Sequence, residues 1–172
     1  MRPSTNAFAL VRVFDTMTPD ADSKEMFREQ SQSFIELTAS IVEPITALFD
    51  TYANPERQGN RFNALVSLVS DCGIEVFMSS RLPLLVSGKA TSKNLLREAF
   101  AEIPEFNSQI RPDIAEQLRR YRMPLFSRRH YEYELYNGNM FFTIGKTLNA
   151  SKQIVYAPSV LHPIFRWMLG KG

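Results

Sequence analysis

Cysteine occurs once, at Cys72, and histidine twice, at His130 and His162. That excludes an internal disulfide and a multi-cysteine zinc site. A Cys–His dyad would need Cys72 exposed beside a cation, whereas its apolar helical surroundings predict a buried small hydrophobe. Glycine is also scarce, and seven residues furnish no Gly-rich dinucleotide-binding turn. Around Gly88-Lys89 the phosphate-loop pattern fails at Pro83 and at Ala90. No uncharged apolar run approaches the roughly 20 residues of a membrane helix, so no membrane insertion is expected. Neither sign of charge dominates, with 20 Lys and Arg against 18 Asp and Glu. At a net charge of +2, a polyanion binder would have to gather its basic residues in space.

The remaining polar residues assemble no catalytic constellation. His130 adjoins arginines, which would lower its pKa and disfavour a general base. His162 precedes Pro163 in an apolar segment, where a packed or capping role is ordinary. Glu98 and Glu102 share a helix face but have no histidine partners for a dimetal site. The expectation is a protein without cofactor or metal, and the pattern argues against an enzyme. The single thiol suits a reducing compartment, so an intracellular location, cytoplasmic or nuclear, is expected. The first 14 residues lack acids and carry Arg, Ser and Thr, a faint mitochondrial presequence signal. The stretch FALVRVF within them reads equally well as a strand.

What is plentiful is core material: 44% hydrophobic residues, including 13 phenylalanines. At this length a compact fold buries roughly 70% of the surface its unfolded chain exposes, so the core needs no staples. We expect residues 1–172 to form a single, predominantly α-helical domain with one β-hairpin over 131–144. FALVRVF or QIVYA could extend that hairpin to a small sheet, giving a mainly-α α+β class. Phe27, Phe34, Ile41 and Leu48 recur every seven residues, with Leu37, Ile45 and Tyr52 on the same face. They predict an amphipathic helix from a capping box at Asp22 and Glu25 to Ala53, kinked or broken near Glu43 by Pro44. After an NPERQGN loop, Phe62, Leu65, Val69, Cys72 and Val76 predict a second, central helix to about Ser79. Ser92 caps a third, over KNLLREAFAEI, with Leu95, Leu96, Ala99, Phe100 and Ile103 on one face, and Pro112 opens a fourth. KQIVYAP reads as extended, and SVLHPIFRWMLG as a last helix.

The segment from Arg119 to Asn139 draws together arginine and tyrosine. Ile114, Leu118 and Tyr121 form the inner stripe of the helix from Pro112, and Glu116 precedes Arg120 by four residues. Arg119, Arg120 and Arg122 fall in its last turn, where cations complement the exposed carbonyls. Asn137-Gly138 then suggests a type I′ turn, which would set Leu135 opposite Met140 and Tyr133 opposite Phe142. Arg128 and Arg129 are left to pair across strands with Glu132 or Glu134, or to flank an anion site.

Two functions fit this pattern. The first is a non-enzymatic protein-interaction or scaffolding domain, compatible with being part of a larger protein. It would bind a protein partner or self-associate through the Phe27, Phe34, Ile41 and Leu48 face. The alternative is a nucleic-acid or phosphate-binding domain using Arg119, Arg120, Arg122, Arg128 and Arg129 beside stacking tyrosines.

Overall fold

This computed structural model describes residues 5–14, 36, 39–49, 55–88, 91–120, 122, 125–139, 141–148 and 154–160. The architecture is predominantly helical: α1 (Thr5–Phe14), α2 (39–46), α3 (Pro55–Cys72), α4 (Ile74–Ser79), α5 (Leu82–Ser87), α6 (Lys93–Glu102), α7 (Pro112–Arg120) and α8 (Arg128–Tyr136). Strand β1 (Phe141–Leu148) pairs antiparallel with β2 (Ile154–Val160).

The centre is α3. Every residue from Phe62 to Val69 is buried, because α1 and α8 both pack against this helix. Only a helix covered on several sides can be apolar nearly all round, and Phe62, Leu65, Val66, Leu68 and Val69 supply that girdle. It starts at Pro55, inside the stretch expected to be a loop, where proline suits the first helical turn. It also stops short of the expected Ser79. Gly73 takes φ +84°, which ends α3 at Cys72, and α4 restarts at Ile74.

FALVRVF is not a strand. Ala7, Leu10 and Phe14 lie at i, i+3 and i+7, all fully buried with Val13, so α1 seats one stripe on the core. Of the heptad face, Phe27 and Phe34 lie outside the described residues, while Ile41 and Leu48 are partly buried against the core beside fully buried Ile45. The α2 stretch passes through Pro44 and ends at residue 46 in turns closed by Leu48 N–H to Ile45 O and Phe49 N–H to Thr46 O. Its expected extension to Ala53 is interrupted there.

On α6, Ser92 Oγ accepts the Asn94 N–H as an N-cap, and Leu96, Ala99 and Phe100 are buried, but Leu95 faces solvent. Pro112 opens α7 as expected, with Leu118 buried. Tyr121 and the last helix expected after Pro158 lie outside the described residues, apart from the β2 end.

The hairpin over 131–144 is overturned. Residues 131–136 belong to α8, and only 141–144 are strand, paired with 156–160 rather than 131–134. Asn137-Gly138 terminates a helix instead of turning a hairpin. Asn139 N–H donates to Glu134 O at 2.9 Å and Gly138 N–H to Leu135 O at 3.0 Å, with Gly138 at φ +73°. That nested pair is the Schellman motif, which needs the same positive φ that a type I′ turn would.

Candidate functional site

Ser127 caps α8, its Oγ accepting the His130 N–H at 3.2 Å. The cap places Arg128 and Arg129 in the first helical turn, the end where a cation is disfavoured by the helix dipole. Both are nevertheless buried, each 2% exposed. Burial on this scale requires charge partners and saturated donors, and three elements of sequence supply them.

Glu132, one turn along α8 and fully buried, takes Arg128 Nε on Oε1 at 2.9 Å and Arg129 Nη1 on Oε2 at 2.6 Å. Asp71, near the end of α3, takes Arg129 Nη2 on Oδ2 at 2.7 Å and lies 3.5 Å from Arg128 Nη1. Ser67, one turn earlier, donates its hydroxyl to Glu132 Oε1 at 2.8 Å while its carbonyl accepts Arg128 Nη2 at 2.9 Å. The Arg128 guanidinium also lies over the Phe14 ring, 5.4 Å from its centroid. Two guanidiniums against two carboxylates leave the cluster with no net charge.

The same groups hold the chain after α6. Ile103 O and Pro104 O accept Arg129 Nε and Nη2 at 3.2 and 2.6 Å. Asp71 accepts the Phe106 and Asn107 N–H groups at 3.2 and 2.9 Å, and Glu105 Oε1 accepts the Arg129 N–H at 3.2 Å. One cluster thus joins α3, α8 and the loop of residues 103–107.

These groups are tied up structurally. Burial alone would lower the Arg129 pKa, but Glu132 and Asp71 outweigh it and leave it raised. Burial pushes the Cys72 thiol up to about 11, with Arg129 opposing, so no thiolate nucleophile is available near neutral pH. The His130 pKa is lowered, first by burial, with Glu134 opposing and Arg97 assisting. The direction matches the sequence expectation, but the neighbouring arginines are not its cause. Its ring stacks on Phe126, centroids 4.1 Å apart. His162 lies outside the described residues.

The five arginines therefore divide. Arg128 and Arg129 are internal, and their pairing with Glu132 runs along one helix rather than across strands. Arg119 and Arg120 are exposed at the end of α7 and both pair with Glu116. Arg122 is exposed just beyond, at φ +54°. Asp71 and Ser67 carry the cluster without having been singled out from the sequence, whereas Glu132 was named as a partner, though across strands. Arg128 and Glu132 at i, i+4 would have been the clue to a helical reading; nothing local points to Asp71, 58 residues from Arg129.

The outer surface has a different character. Of the large apolar side chains exposed among the described residues, Met78, Leu84 and Leu95 sit on α4, α5 and α6, which pack in succession. Phe106 stands on the clamped loop, 69% exposed, and Leu125 lies just before the α8 cap. An open groove of about 690 Å³ lies between α4 and the end of α6, lined by none of these side chains.

The chain matches no family model, no curated protein and no solved structure. Its chemistry has to be judged from this geometry. Among the described residues no group of three His, Cys, Asp or Glu could hold a metal ion. Among them, too, no helix is long and apolar enough to cross a membrane.

Proposed function

We propose that this protein is a non-enzymatic interaction module that binds a protein partner through the α4–α6 surface and the loop that follows it. The observation supporting this reading is the exposure of Met78, Leu84, Leu95 and Phe106 within 29 residues of sequence, with Leu84 at 77% and Phe106 at 69%. Scattered exposed hydrophobics are ordinary, whereas a concentration on consecutive elements marks a contact surface. Phe106 is held from beneath by Asp71, so an aromatic anchor is offered on an ordered loop. The heptad face becomes secondary in this reading, since Ile41 and Leu48 already lean on the core.

The test is a double substitution, Leu84→Ser with Phe106→Ser. Both side chains are largely in water, so the melting temperature should stay within a few degrees of the parent. Crosslinked partners recovered with the parent protein, or its self-association in a sedimentation concentration series, should be lost in the variant. Identical behaviour of the two proteins would refute the reading.

Exposure of Arg119, Arg120 and Arg122 at one helix end supports a second reading, a phosphate or nucleic-acid contact. Three phosphate contacts would give a log–log salt slope of about −2 to −3 in oligonucleotide anisotropy. Arg119→Ala with Arg120→Ala should then flatten that slope toward −1 with no loss of fold. A slope unchanged by the substitutions would exclude those arginines.

A further inference from the structure

The groove has a composition that selects its occupant. Its apolar lining is formed by Val76, Ile103 and Pro104. Glu75 and Glu102 stand on its rim, both exposed. Arg81 is the rim's cation, and it is already engaged, 2.6 Å from Glu102 and 3.6 Å from Glu98. Two lining carboxylates, Glu75 and Glu102, against one guanidinium leave this edge at −1, and among the described residues Glu75 carries no ion pair. The neighbouring hydroxyls are spent on their own helix, Ser79 Oγ donating to Glu75 O at 2.8 Å and Ser80 Oγ to Phe77 O at 2.7 Å. What the groove offers outward is therefore an apolar lining, the Arg81–Glu102 pair and the unpaired Glu75 carboxylate.

One wall is also preformed. Ile103 O and Pro104 O are fixed by the buried Arg129 guanidinium, so the loop carries little ordering cost on binding. A volume of about 690 Å³ in an open groove gives room for a few side chains laid along the surface. An acidic rim repels phosphate, which argues against a nucleic acid here.

We propose that this groove docks a short peptide segment of the partner protein, one that presents an apolar side chain next to a lysine or arginine. The proposal rests on the interaction reading above and names the chemistry of what is bound. The apolar side chain fills the space over Val76, Ile103 and Pro104, and the cation meets Glu75 and Glu102.

The test starts from a random dodecapeptide library displayed on phage and panned against the full chain. Enriched peptides are then synthesised with a fluorophore and titrated by anisotropy at salt concentrations from about 50 to 200 mM. Enriched sequences should pair Leu, Ile, Met or Phe with an adjacent Lys or Arg, and binding should weaken as salt rises. Glu75→Lys with Glu102→Lys should reduce affinity by about tenfold or more at low salt. Ser79→Trp, which places an indole in the groove from an exposed position, should abolish binding. Thermal melts of both variants establish that the fold is retained. Failure to enrich any peptide, enrichment without basic residues, or equal binding by both variants would overturn the proposal. Peptides that bind both groove variants yet lose affinity in the Leu84→Ser, Phe106→Ser protein would sink the groove while leaving the wider contact surface standing. Peptides insensitive to all of these substitutions would sink both.

Discussion

Take away the charge of Glu132 and two guanidiniums remain in the core with one carboxylate between them. Glu132→Gln preserves the shape, so the loss is electrostatic, and breaking a buried pair in this way costs about 3–5 kcal/mol. Urea denaturation should show that loss, against less than about 0.5 kcal/mol for Arg120→Ala on the α7 surface. A near-silent Glu132→Gln would mean the cluster is not the hub its distances imply. His130 gives a second prediction of different sign and range. Its folded pKa lies below the ordinary 6.5, chiefly through burial. The folded state then resists a proton that the unfolded chain accepts. Stability is full above about pH 6.5, falls as pH drops from there toward the lowered folded value, and is flat below it. His130→Phe, which keeps the stack on Phe126, should erase that segment of the stability–pH curve relative to the parent. Curves that run parallel through the window would contradict it.

At the scale of elements, α8 is where alternation and helical spacing compete in one sequence. Tyr131, Tyr133 and Leu135 alternate with Glu132 and Glu134, which fits a strand. Arg128 with Glu132, and Tyr131 with Leu135, fit a helix equally well. The structure resolves the tie through partners beyond the segment: Tyr131 packs on Phe14, Tyr133 and Tyr136 on Phe100, and Glu132 meets Ser67 and both arginines. With both Tyr133 and Glu132 buried, period-two logic no longer applies. The end signals, Ser127 as cap and Gly138 as terminator, agree with the helix, but the sequence reading assigned Gly138 to a hairpin turn and passed over Ser127. Ser92 and Pro112 were read correctly, since caps depend on nearby backbone and little else. The groove and the cluster's reach to Asp71 and Ser67 were not legible, because each is closed by residues from separate helices, whereas the pairing of Arg128 and Arg129 with Glu132 was. Gly138→Ala should cost about 1 kcal/mol in a thermal melt, from positive φ alone. The added Cβ would stand 3.8 Å from Asn60 Nδ2, an ordinary contact. An unchanged melting temperature would mean that the α8 end relaxes out of its Schellman geometry.

For the molecule as a whole, the cluster divides labour between inside and outside. Its donors and acceptors spend themselves on α3, α8 and the 103–107 loop, and the same loop walls the groove and displays Phe106. Loosening the inside should therefore be felt at the surface. Asp71→Asn keeps the acceptor for Asn107 N–H but weakens the hold on Arg129. Amide exchange of residues 103–107 should accelerate by about tenfold or more, well ahead of α6, which is anchored by its own buried stripe. Uniform acceleration across both would mean the loop and helix open together.

The neutral sum of the cluster also governs how this chain can diverge. A lone change at Asp71, Arg128, Arg129 or Glu132 strands a charge in the core, while a coordinated replacement by apolar residues of similar volume can be tolerated. The four positions are consequently free to drift only together. The aspartate near the end of the central helix and the Arg-Arg-x-x-Glu at the start of a later one thus form a single unit of substitution, although 57 residues of chain separate Asp71 from Arg128.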